Sequence, residues 1–532
     1  MTSQRTALLI ATTLALSAAP PVATAVDAGP GVVQAGLPLG PAGLSETRTT
    51  RTLQPGVTLT TIVRGTTDPA AAWTVEVAIP SGSVDPDAPP AAIKDEAAAN
   101  AAADQLSAAG LDVRVEAVPT PRLADAGGNV LGYRVRVGSV PTKADADALR
   151  TQVIAAGFAG SSVYTGWDGE PDDVAGSTGP WHVQVLTIDP RTFTGELTAS
   201  YGPDLERRET TSALAAFTGA TAAVNAGFFV LDPAAGAPGD PAGVGAYDGR
   251  LVSETVTGRP ALVVHHDGLG TTVARLGWRG LAGGLPLDGL NRVPGLIRNC
   301  GGSGDTPTDL PLHDFTCTDA DELIAFDSSY GASTPSGPGI EAVLDRSGRV
   351  LEIRSARGGA VPAGGRTVQA TGAMASRLSA VAVVGRTLPV AAWLVDSAGR
   401  PVPVDRRTTI VNGGPELVRD GALHATPAAD GMAPVGNPSF YYGWVHKRNP
   451  RTLAGVDAAG RTVLVTADGR STTSLGLGIA EAAAVAAALG LRDATNLDGG
   501  GSTTMVAGGI VVNSPSDAAG ERPVGDALVV TP

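Results

Sequence analysis

Alternating hydrophobic and polar positions mark two similar units between residues 71 and 165. In the first unit, WTVEVAIP and DVRVEAVP alternate with the period of a β-strand and flank a helical pattern, IKDEAAANAAADQLSAAGL, which should end at Gly110. In the second, GYRVRVGSV and SSVYT are the strands, and TKADADALRTQVIAAGF is a helix that Thr142 should open. Two consecutive strand-helix-strand units predict a small ferredoxin-like sandwich.

Strand patterns also dominate the chain on both sides of this module. LQPGVTLTTIVRG, residues 53–65, predicts one strand, and WHVQVLTIDPRT restarts a strand at Trp181, so the module should be inserted into a larger domain or lie just ahead of it. From residue 178 to 532 the pattern predicts strands, the hairpin IEAVLDRSGRVLEIRS and few helices, the clearest being GIAEAAAVAAALGL, ended by Gly490. We therefore predict an α+β fold with a mixed sheet in the larger domain.

The N-terminal residues have the pattern of an export signal. Arg5 precedes a short apolar run, and Ala-Thr-Ala at 23–25 offers the small residues of a cleavage site, so residues 1–25 are predicted to be a signal peptide, with a retained anchor as the alternative. No later stretch reaches ~18 uninterrupted apolar residues, so we expect no stable membrane insertion after cleavage. The predicted organisation is then a segment at 26–66 that includes a first strand of the main domain, the small module at 67–168, and the main domain at 178–532.

Charge and cysteine content exclude some classes of partner. The formal net charge of −14 gives no general attraction to phosphate backbones, so nucleic acid is not an expected partner. The two cysteines, Cys300 and Cys317, favour a disulfide in an exported chain. Zinc is the alternative, because His313 lies between them, but no second paired-ligand spacing accompanies them. We predict neither a metal nor a cofactor.

The stretch NLDGGGSTTM, residues 496–505, is the strongest candidate for chemistry. A helix and a short strand precede it, so Asp498 should lie at the carboxyl end of a strand, where loops collect functional side chains. The amides of Gly499, Gly500 and Gly501 are predicted to form a concave anion site, to which Ser502 adds a hydroxyl. No lysine follows the glycines, so this is not a P-loop, and a plain turn between strands is the alternative.

Arginine and histidine supply candidate partners for an anion. Arg451, Arg470 and Arg522 each lie beside turn residues, and a planar guanidinium binds phosphate through two hydrogen bonds. Each alone is more typical of a surface arginine, so the prediction requires that all three converge. His446, close to the NPRT stretch, is a further candidate phosphate donor or base.

The second half of the small module, LGYRVRVGSVPTKADADALRTQVIAAGF, resembles the SPOR family. Its members bind peptidoglycan glycan strands, so the resemblance implies peptidoglycan as a partner. Tyr133 and Trp73 are candidate sugar-stacking residues, with ordinary packing as the alternative. A spacer without a ligand is the alternative for the module as a whole.

Six separated motifs in the main domain resemble the phosphodiester glycosidase family: AAVNAGFF, NGGPELVRDG, RNPRTLAGV, ADGR, NLDGGGSTTM and VVNSPSDAAGERPVGDALVV. The resemblance implies hydrolysis of a sugar C1–O–phosphate bond, of the N-acetylglucosamine-1-phosphodiester type, without a cofactor. Carried onto this sequence, the pocket would consist of Asn225, Arg451, Asp468, Arg470, Asp498 with its glycines, and Asn513, with Glu481 as a further acid or base.

The chemistry fits these residue types. A carboxylate beside C1 stabilises an oxocarbenium-like state, so we place Asp498 on the sugar side. Arg451 and Arg470 would stabilise the phosphate leaving group, and Asp468 would orient an arginine or activate water. Glu481 is equally compatible with a partner of the helix dipole.

The predicted function is that of a secreted, cell-wall-associated hydrolase that acts on sugar-1-phosphodiesters of the cell wall or of extracellular polysaccharide. In this prediction the SPOR-like module positions the enzyme on its glycan. Two alternatives stay open: a non-catalytic protein that binds a phosphosugar polymer, and a phosphodiesterase that cleaves the P–O bond.

Overall fold

The computed structural model describes residues 36–78, 91–170, 176–256, 258–301 and 312–532. The predicted signal peptide at 1–25 lies outside these residues. Contacts divide the chain into Met1–Gly36 and Leu37–Pro532, and every described helix and strand belongs to the second unit. Among the helices of the described ranges, none is both long and apolar enough to cross a membrane.

The elements follow one another along the chain with short helices between many strands. The helices are α1 (Glu96–Ala108), α2 (Lys143–Ala155), α3 (Thr211–Thr218), α4 (Gly372–Val381), α5 (Pro438–Tyr441) and α6 (Ile479–Ala488). The strands up to the end of the small module are β1 (Glu46–Gln54), β2 (Val57–Arg64), β3 (Trp73–Ala78), β4 (Val113–Pro119), β5 (Val130–Val140) and β6 (Ala159–Tyr164). Those of the next part are β7 (Trp181–Ile188), β8 (Glu196–Ser200), β9 (Ala222–Asn225), β10 (Gly245–Tyr247), β11 (Arg250–Ser253), β12 (Pro260–His265), β13 (Thr272–Arg275), β14 (Gly277–Ala282), β15 (Leu285–Pro286), β16 (Gly289–Leu290), β17 (Ile297–Arg298) and β18 (Thr316–Cys317). Then come β19 (Leu323–Asp327), β20 (Ser333–Gly337), β21 (Ile340–Leu344), β22 (Val350–Arg354), β23 (Arg357–Ala360), β24 (Arg366–Ala370), β25 (Val390–Val395), β26 (Pro401–Val402), β27 (Thr408–Asn412), β28 (Glu416–Arg419) and β29 (Ala422–Leu423). The last are β30 (Arg451–Asp457), β31 (Thr462–Ala467), β32 (Leu491–Asn496), β33 (Met505–Ala507), β34 (Ile510–Val511) and β35 (Ala527–Thr531).

The small module is a four-stranded antiparallel sheet in the order β4-β5-β3-β6, with α1 and α2 packed on one face. Both predicted helices are confirmed. Asp95 caps the start of α1 by accepting from the Ala98 amide at 2.9 Å, and Thr142 caps α2. Gly110 follows α1 with a φ of 84°, a left-handed conformation that glycine adopts without strain.

The module is inserted between two neighbouring strands of the main sheet. That sheet has the order β1-β2-β7-β31-β30-β32-β28-β29, so β2 precedes the module and its partner β7 follows it. The single strand predicted over 53–65 is instead the end of β1, a tight turn at Gly56 and the whole of β2. Alternation continues across such a turn, and therefore did not reveal it.

The centre of the main sheet is buried on both faces, because its middle strands β30 and β31 contain only buried residues. One core includes Leu453 and Val465 with the apolar side of α6, and the other includes Ala454 and Leu464 with β9 and β35. The predicted α+β class agrees with this strand-rich arrangement. The sheets are less mixed than predicted: among paired strands of the described ranges, β16 and β19 alone run parallel. A parallel pair needs a long crossover, usually a helix, and the described main domain has few helices.

Two further predictions of local structure agree with the structure. The Asp-Arg-Ser-Gly turn joins β21 and β22, which pair antiparallel. α6 ends before Gly490, whose φ is 82°, and β32 then leads to the glycine-rich turn.

The module's other sheet face, opposite its helices, is covered by the main domain. Arg136 is 2% exposed and bonds to Asp168 at 2.6 Å and to Glu76 at 3.1 Å. Tyr442 donates to Glu76 at 2.8 Å, and Lys447 lies 3.2 Å from the same carboxylate. This buried ionic cluster leaves that sheet face no open surface around Glu76 and Arg136.

Candidate functional site

The candidate site begins where three neighbouring strands of the main sheet end or start together. Arg451 opens β30 and lies opposite Ala467, the last residue of β31, so Asp468 follows at the same edge. β32 pairs with β30 from the other side and ends at Asn496, two residues before Asp498. The fold thus collects Arg451, Asp468 and Asp498 from segments that are distant in sequence.

Asp498 is held by its main chain. Its amide donates to the Ala226 carbonyl at 3.0 Å, and its own carbonyl accepts from Asn225 Nδ2 at 2.7 Å. The other amide atom of Asn225, Oδ1, accepts from Thr452 Oγ1 at 2.8 Å and from the Thr504 amide at 3.0 Å. Asn225 is fully buried, so its role is to tie together β9, β30 and the two ends of the glycine turn.

The glycine turn uses its amides differently from the prediction. The Gly499 amide donates to Asp498 Oδ1 at 3.0 Å, and the Gly500 amide donates to the Pro450 carbonyl at 2.9 Å. These two amides are therefore engaged within the protein, and the predicted anion cradle of three glycine amides is wrong in this respect. The glycines serve conformation and close approach: Gly500 has a φ of 61°, and a Cβ at Gly501 would overlap Arg522.

Buried Asp468 and half-buried Asn513 form a second pair in the same network. Asp468 Oδ1 accepts from Asn513 Nδ2 at 3.1 Å and from the Ser514 amide at 2.9 Å. Asn513 Oδ1 accepts from the Met505 amide at 2.7 Å, which connects the pair to the segment after the glycine turn. Burial raises the pKa of Asp468, although the donors from Ser514 and Asn513 act in the opposite direction.

The predicted arginines give this edge of the sheet a positive character. Arg451 is buried and donates from Nε to the Leu477 carbonyl at 2.9 Å, and from Nη2 to the Trp444 carbonyl. Burial lowers its pKa to about 9, and the charge of Arg470 contributes to the lowering. Arg470 has a φ of 55° and donates to Asn449 at 3.2 Å. Two adjacent guanidinium groups at one place favour an anionic ligand.

Asp498 lines a cavity. Some of the other lining residues were predicted as site residues, and the rest were not. Four predicted site residues line it, namely Asp498, Gly499, Ser502 and Arg522. Arg522 is paired there with Asp517 at 2.8 Å. The rest of the lining consists of Phe228, Phe229, Leu231, Arg298, Asn299, His313 and Trp444.

The disulfide lies next to the polar residues of that additional lining, Arg298 and His313. Cys300 and Cys317 are bonded, and the short strands β17 and β18 pair beside them. Arg298 at the end of β17 forms an ion pair with Asp314. His313 comes just before Asp314; the sequence had indicated it only as a possible zinc partner of the cysteines, and it had not indicated Arg298. The available signal was the cysteine pair, because His313 lies within the disulfide-bounded segment and Arg298 lies two residues before it.

Two further residues hold the NAGFF segment against the site. Asp526 accepts from the Gly227 amide and from the Tyr247 hydroxyl, each at 2.7 Å, and burial raises its pKa. Asn412 accepts from the Phe228 amide at 2.8 Å. Both residues lie in motifs noted in the sequence, although neither was assigned a role.

Glu481 and His446 lie elsewhere. Glu481 pairs with buried Arg448 at 2.8 Å and accepts from the Gly478 amide at 3.0 Å, so it caps α6 as a dipole partner does. His446 is buried and stacks on Tyr442 at 5.8 Å between ring centroids. Both line a separate cavity of about 230 Å³ between α6 and the small module, and the structure does not bring them to the cavity of Asp498.

The described residues contain no group of three or more His, Cys, Asp or Glu side chains arranged to hold a metal ion. The cavity of Asp498 is lined by this carboxylate, by two guanidinium groups, by the His313 imidazole and by aromatic side chains.

Comparison with known proteins relates this arrangement to a family. The phosphodiester glycosidase model matches residues 339–531, which include Arg451, Asp468, Asp498 and Asn513, and the SPOR domain model matches residues 91–164. A crystal structure from Burkholderia pseudomallei, of a protein provisionally described as exported, is 36% identical, covers 93% of this chain and 98% of its own, and has a TM-score of 0.82. The chain belongs to the phosphodiester glycosidase family.

Two other solved structures are more distant from this phosphodiester glycosidase family member. A hypothetical protein from Synechocystis is 17% identical, with coverage of 92% of this chain and 81% of its own and a TM-score of 0.51, which indicates a shared fold alone. The zebrafish N-acetylglucosamine-1-phosphodiester alpha-N-acetylglucosaminidase catalytic domain, auto-inhibited by its pro-peptide, is 13% identical, with coverage of 87% and 88% and a TM-score of 0.33. No curated protein sequence matches the chain.

The family model matches a shorter range, 339–531, than the range 178–532 over which the sequence motifs suggested the resemblance. Asn225, Arg298 and His313 lie outside the matched part. The contacts of these three residues in this structure are therefore the basis for any role assigned to them.

Proposed function

We propose that the protein is an exported glycosidase that hydrolyses the bond between C1 of a sugar and the phosphate of a sugar-1-phosphodiester, of the N-acetylglucosamine type. The observation that carries the proposal is the cavity in which Asp498 and Arg522 lie together, next to the strand ends that hold Asp468, Arg451 and Arg470. A carboxylate and several cations in one place suit a substrate whose reacting carbon becomes positive while its leaving group carries negative charge.

In this proposal the two charges of the transition state are stabilised by different residues. Asp498 faces C1 and stabilises the oxocarbenium-like state or attacks it. Arg522 binds the phosphate, and Arg451 and Arg470 add their positive field from the strand ends. Asp468, whose pKa burial raises, serves as the base that activates water. A phosphate leaving group needs little protonation, so no separate strong acid is required.

The SPOR module would keep the enzyme on its substrate by binding peptidoglycan, as the family does. Its sheet has the order β4-β5-β3-β6, with two helices on one face. The sheet face around Glu76 and Arg136 is covered, so a glycan would bind the helix side or an edge of the module. Trp73 packs against Tyr164 and Trp167 at 5.5 and 5.4 Å between ring centroids, which favours its packing role over sugar stacking.

The test is hydrolysis of the methyl phosphodiester of N-acetylglucosamine-1-phosphate in water labelled with heavy oxygen. Glycosidase action puts the label on the released sugar and leaves methyl phosphate unlabelled. Label in methyl phosphate, or release of N-acetylglucosamine-1-phosphate, indicates cleavage of a P–O bond and would refute the proposal. Mass spectrometry of both products distinguishes the three results.

Two variants connect the result to the site. Asp498→Asn should lower kcat/KM by roughly 10²–10⁴-fold. Glu481→Gln is the control, because Glu481 lies in the other cavity and should affect stability more than the rate of the folded enzyme. Binding of the phosphodiester without turnover, in wild type and across several sugars, would instead favour a non-catalytic binding protein.

A further inference from the structure

His313 lines the same cavity as Asp498, and the matched family residues do not include it. Its side chain is buried, with a relative exposure of 7%. The imidazole ring packs edge-on against Phe228 at 4.5 Å and lies 6.4 Å from Trp444, measured between ring centroids. The ring is thus fixed in an aromatic wall that faces the carboxylate of the proposed reaction.

Arg259 determines which ring nitrogen of His313 carries hydrogen. Arg259 is buried, and its Nη1 lies 3.0 Å from His313 Nδ1. A guanidinium has only donors, so Nδ1 must accept with its lone pair. In the neutral ring the hydrogen then lies on Nε2, at the other edge.

The surroundings also keep the ring neutral. Burial lowers the pKa of His313 well below its ordinary value, and the charges of Arg259 and Arg298 lower it further. The acidic groups around these arginines are Asp314, paired with Arg298, and Asp430, which acts on Arg259. His313 therefore presents a hydrogen-bond donor that does not titrate near neutral pH.

A second donor lies at the same wall. Arg298 is paired with Asp314 through Nη2, while its Nη1 is buried without a hydrogen-bond partner among the described residues. Buried donors are nearly always satisfied, so an unpaired guanidinium N–H beside a cavity indicates a place for an acceptor. Together with Arg522, these groups surround the cavity with donors and positive charge.

We propose that His313 binds a phosphate oxygen of the substrate through its Nε2–H, with Arg298 as a second donor and Arg259 as the positioning residue that fixes the ring. The inference rests on the proposed function, which supplies the phosphodiester. A neutral donor suits this position because it stabilises the charge that develops on the leaving phosphate without giving up a proton. The disulfide between Cys300 and Cys317 holds both donors against the cavity.

The first test needs no turnover. The chain has six histidines, so selective isotope labelling gives few ring signals, and the signal that disappears in His313→Gln identifies His313. We expect its ring nitrogens to report the neutral Nε2–H form across about pH 5–8. Adding methyl phosphate, the monoester that the proposed reaction releases, should shift Nε2. A charged ring, hydrogen on Nδ1, or no shift at saturating methyl phosphate would refute the proposal.

The second test is kinetic and separates binding from structure. His313→Leu fills a similar volume without the donor and should lower kcat/KM by about 10²–10³-fold, as loss of an oxyanion donor does. His313→Gln places an amide N–H near the position of Nε2 and should recover a large part of that loss. The control is His424→Leu, whose side chain lines neither cavity. Equal rates for His313→Leu and His424→Leu would refute the role of His313.

Arg259→Met tests the positioning role. The side chain keeps its length and loses the donor to Nδ1, so we expect His313 to titrate at a higher pH and to exchange hydrogen between its ring nitrogens. An unchanged ring spectrum would refute the assignment to Arg259. If the protein binds methyl phosphate through His313 but does not hydrolyse the phosphodiester, the phosphate site stands and the proposed glycosidase activity fails.

Discussion

Replacing Asn225 by alanine should lower the stability of the protein and loosen the main chain at Asp498. The substitution removes the partners of the Asp498 carbonyl, the Thr504 amide and the Thr452 hydroxyl. The hydroxyl can rotate, whereas the two backbone groups lie in the glycine turn between β32 and β33, where the Asp498 and Gly500 amides make further main-chain hydrogen bonds. An unsatisfied buried group costs about 1–3 kcal/mol, so the free energy of unfolding should fall by about 2–6 kcal/mol.

The measurement is urea unfolding of wild type and Asn225→Ala, with the midpoint and slope followed by circular dichroism and by fluorescence. Because Asn225 fixes the main chain of Asp498, hydrolysis of the sugar-1-phosphodiester by the folded fraction should fall as well. Asn129→Ala is the matched control, since Asn129 is exposed and its side chain is not involved in the site. It should leave both quantities near their wild-type values.

A change below about 1 kcal/mol for Asn225→Ala would refute the reasoning, because it would mean that the buried groups find new partners at little cost. Full activity with lowered stability would refute a narrower part of it. In that case Asn225 would stabilise β9 and β30 without determining the position of Asp498.

Three further predictions concern other parts of the molecule. Asp468→Asn should lower kcat/KM by roughly 10²–10⁴-fold. Because a base must be ionised, the activity of the wild type should rise with pH through the raised pKa of Asp468, and the variant should lose that dependence. A pH–rate profile of both proteins measures the two effects. Replacing Cys300 and Cys317 together by serine should lower the free energy of unfolding by about 3 kcal/mol and weaken the binding of methyl phosphate. Denaturation measures the first effect and calorimetry the second. Unchanged binding would contradict the role of the disulfide in placing the cavity wall. Burial raises the pKa of Glu76, but Lys447 and two arginines lower it to about 2. This carboxylate therefore stabilises the module at pH values above its ordinary pKa near 4.5, and the stabilisation should be lost as the pH falls from 4.5 towards 2. In acid unfolding, the stability of Glu76→Gln should depend less on pH than that of the wild type.

Local patterns along the chain predicted the elements well, and for identifiable reasons. Gly110 and Gly490 mark the ends of α1 and α6, and Thr142 marks the start of α2, so these limits could be read directly from the sequence. The hairpin of β1 and β2 could not, because strand alternation has the same period on both sides of a tight turn. The order of the eight strands depends on pairings between residues more than a hundred positions apart, which no local pattern contains.

The candidate site shows the same division between local and distant information. Asp498, Ser502 and Arg522 come from two separate motifs and line one cavity, and the roles that the sequence assigned to them stay predictions. The amides of Gly499 and Gly500 were misjudged because the Pro450 carbonyl and the Asp498 side chain that engage them are visible only in three dimensions.

Glu481 shows why residue type alone is not enough. A glutamate in the first turn of a helix can be an acid, a base or a cap, and its partner Arg448 decides between these roles. His313 shows the converse. Its importance depends on Arg259, a residue 54 positions away that no motif connects to it.

The insertion of the small module between β2 and β7 restricts how the module can move relative to the main domain. A module joined to an enzyme by one flexible linker would let the enzyme explore the substrate around its anchor. Here both ends of the module enter adjacent strands, and the ionic cluster around Arg136 fixes one of its faces. A glycan held by this module would therefore lie at a set distance and angle from Asp498, so the protein would cleave at a spacing determined by its own architecture.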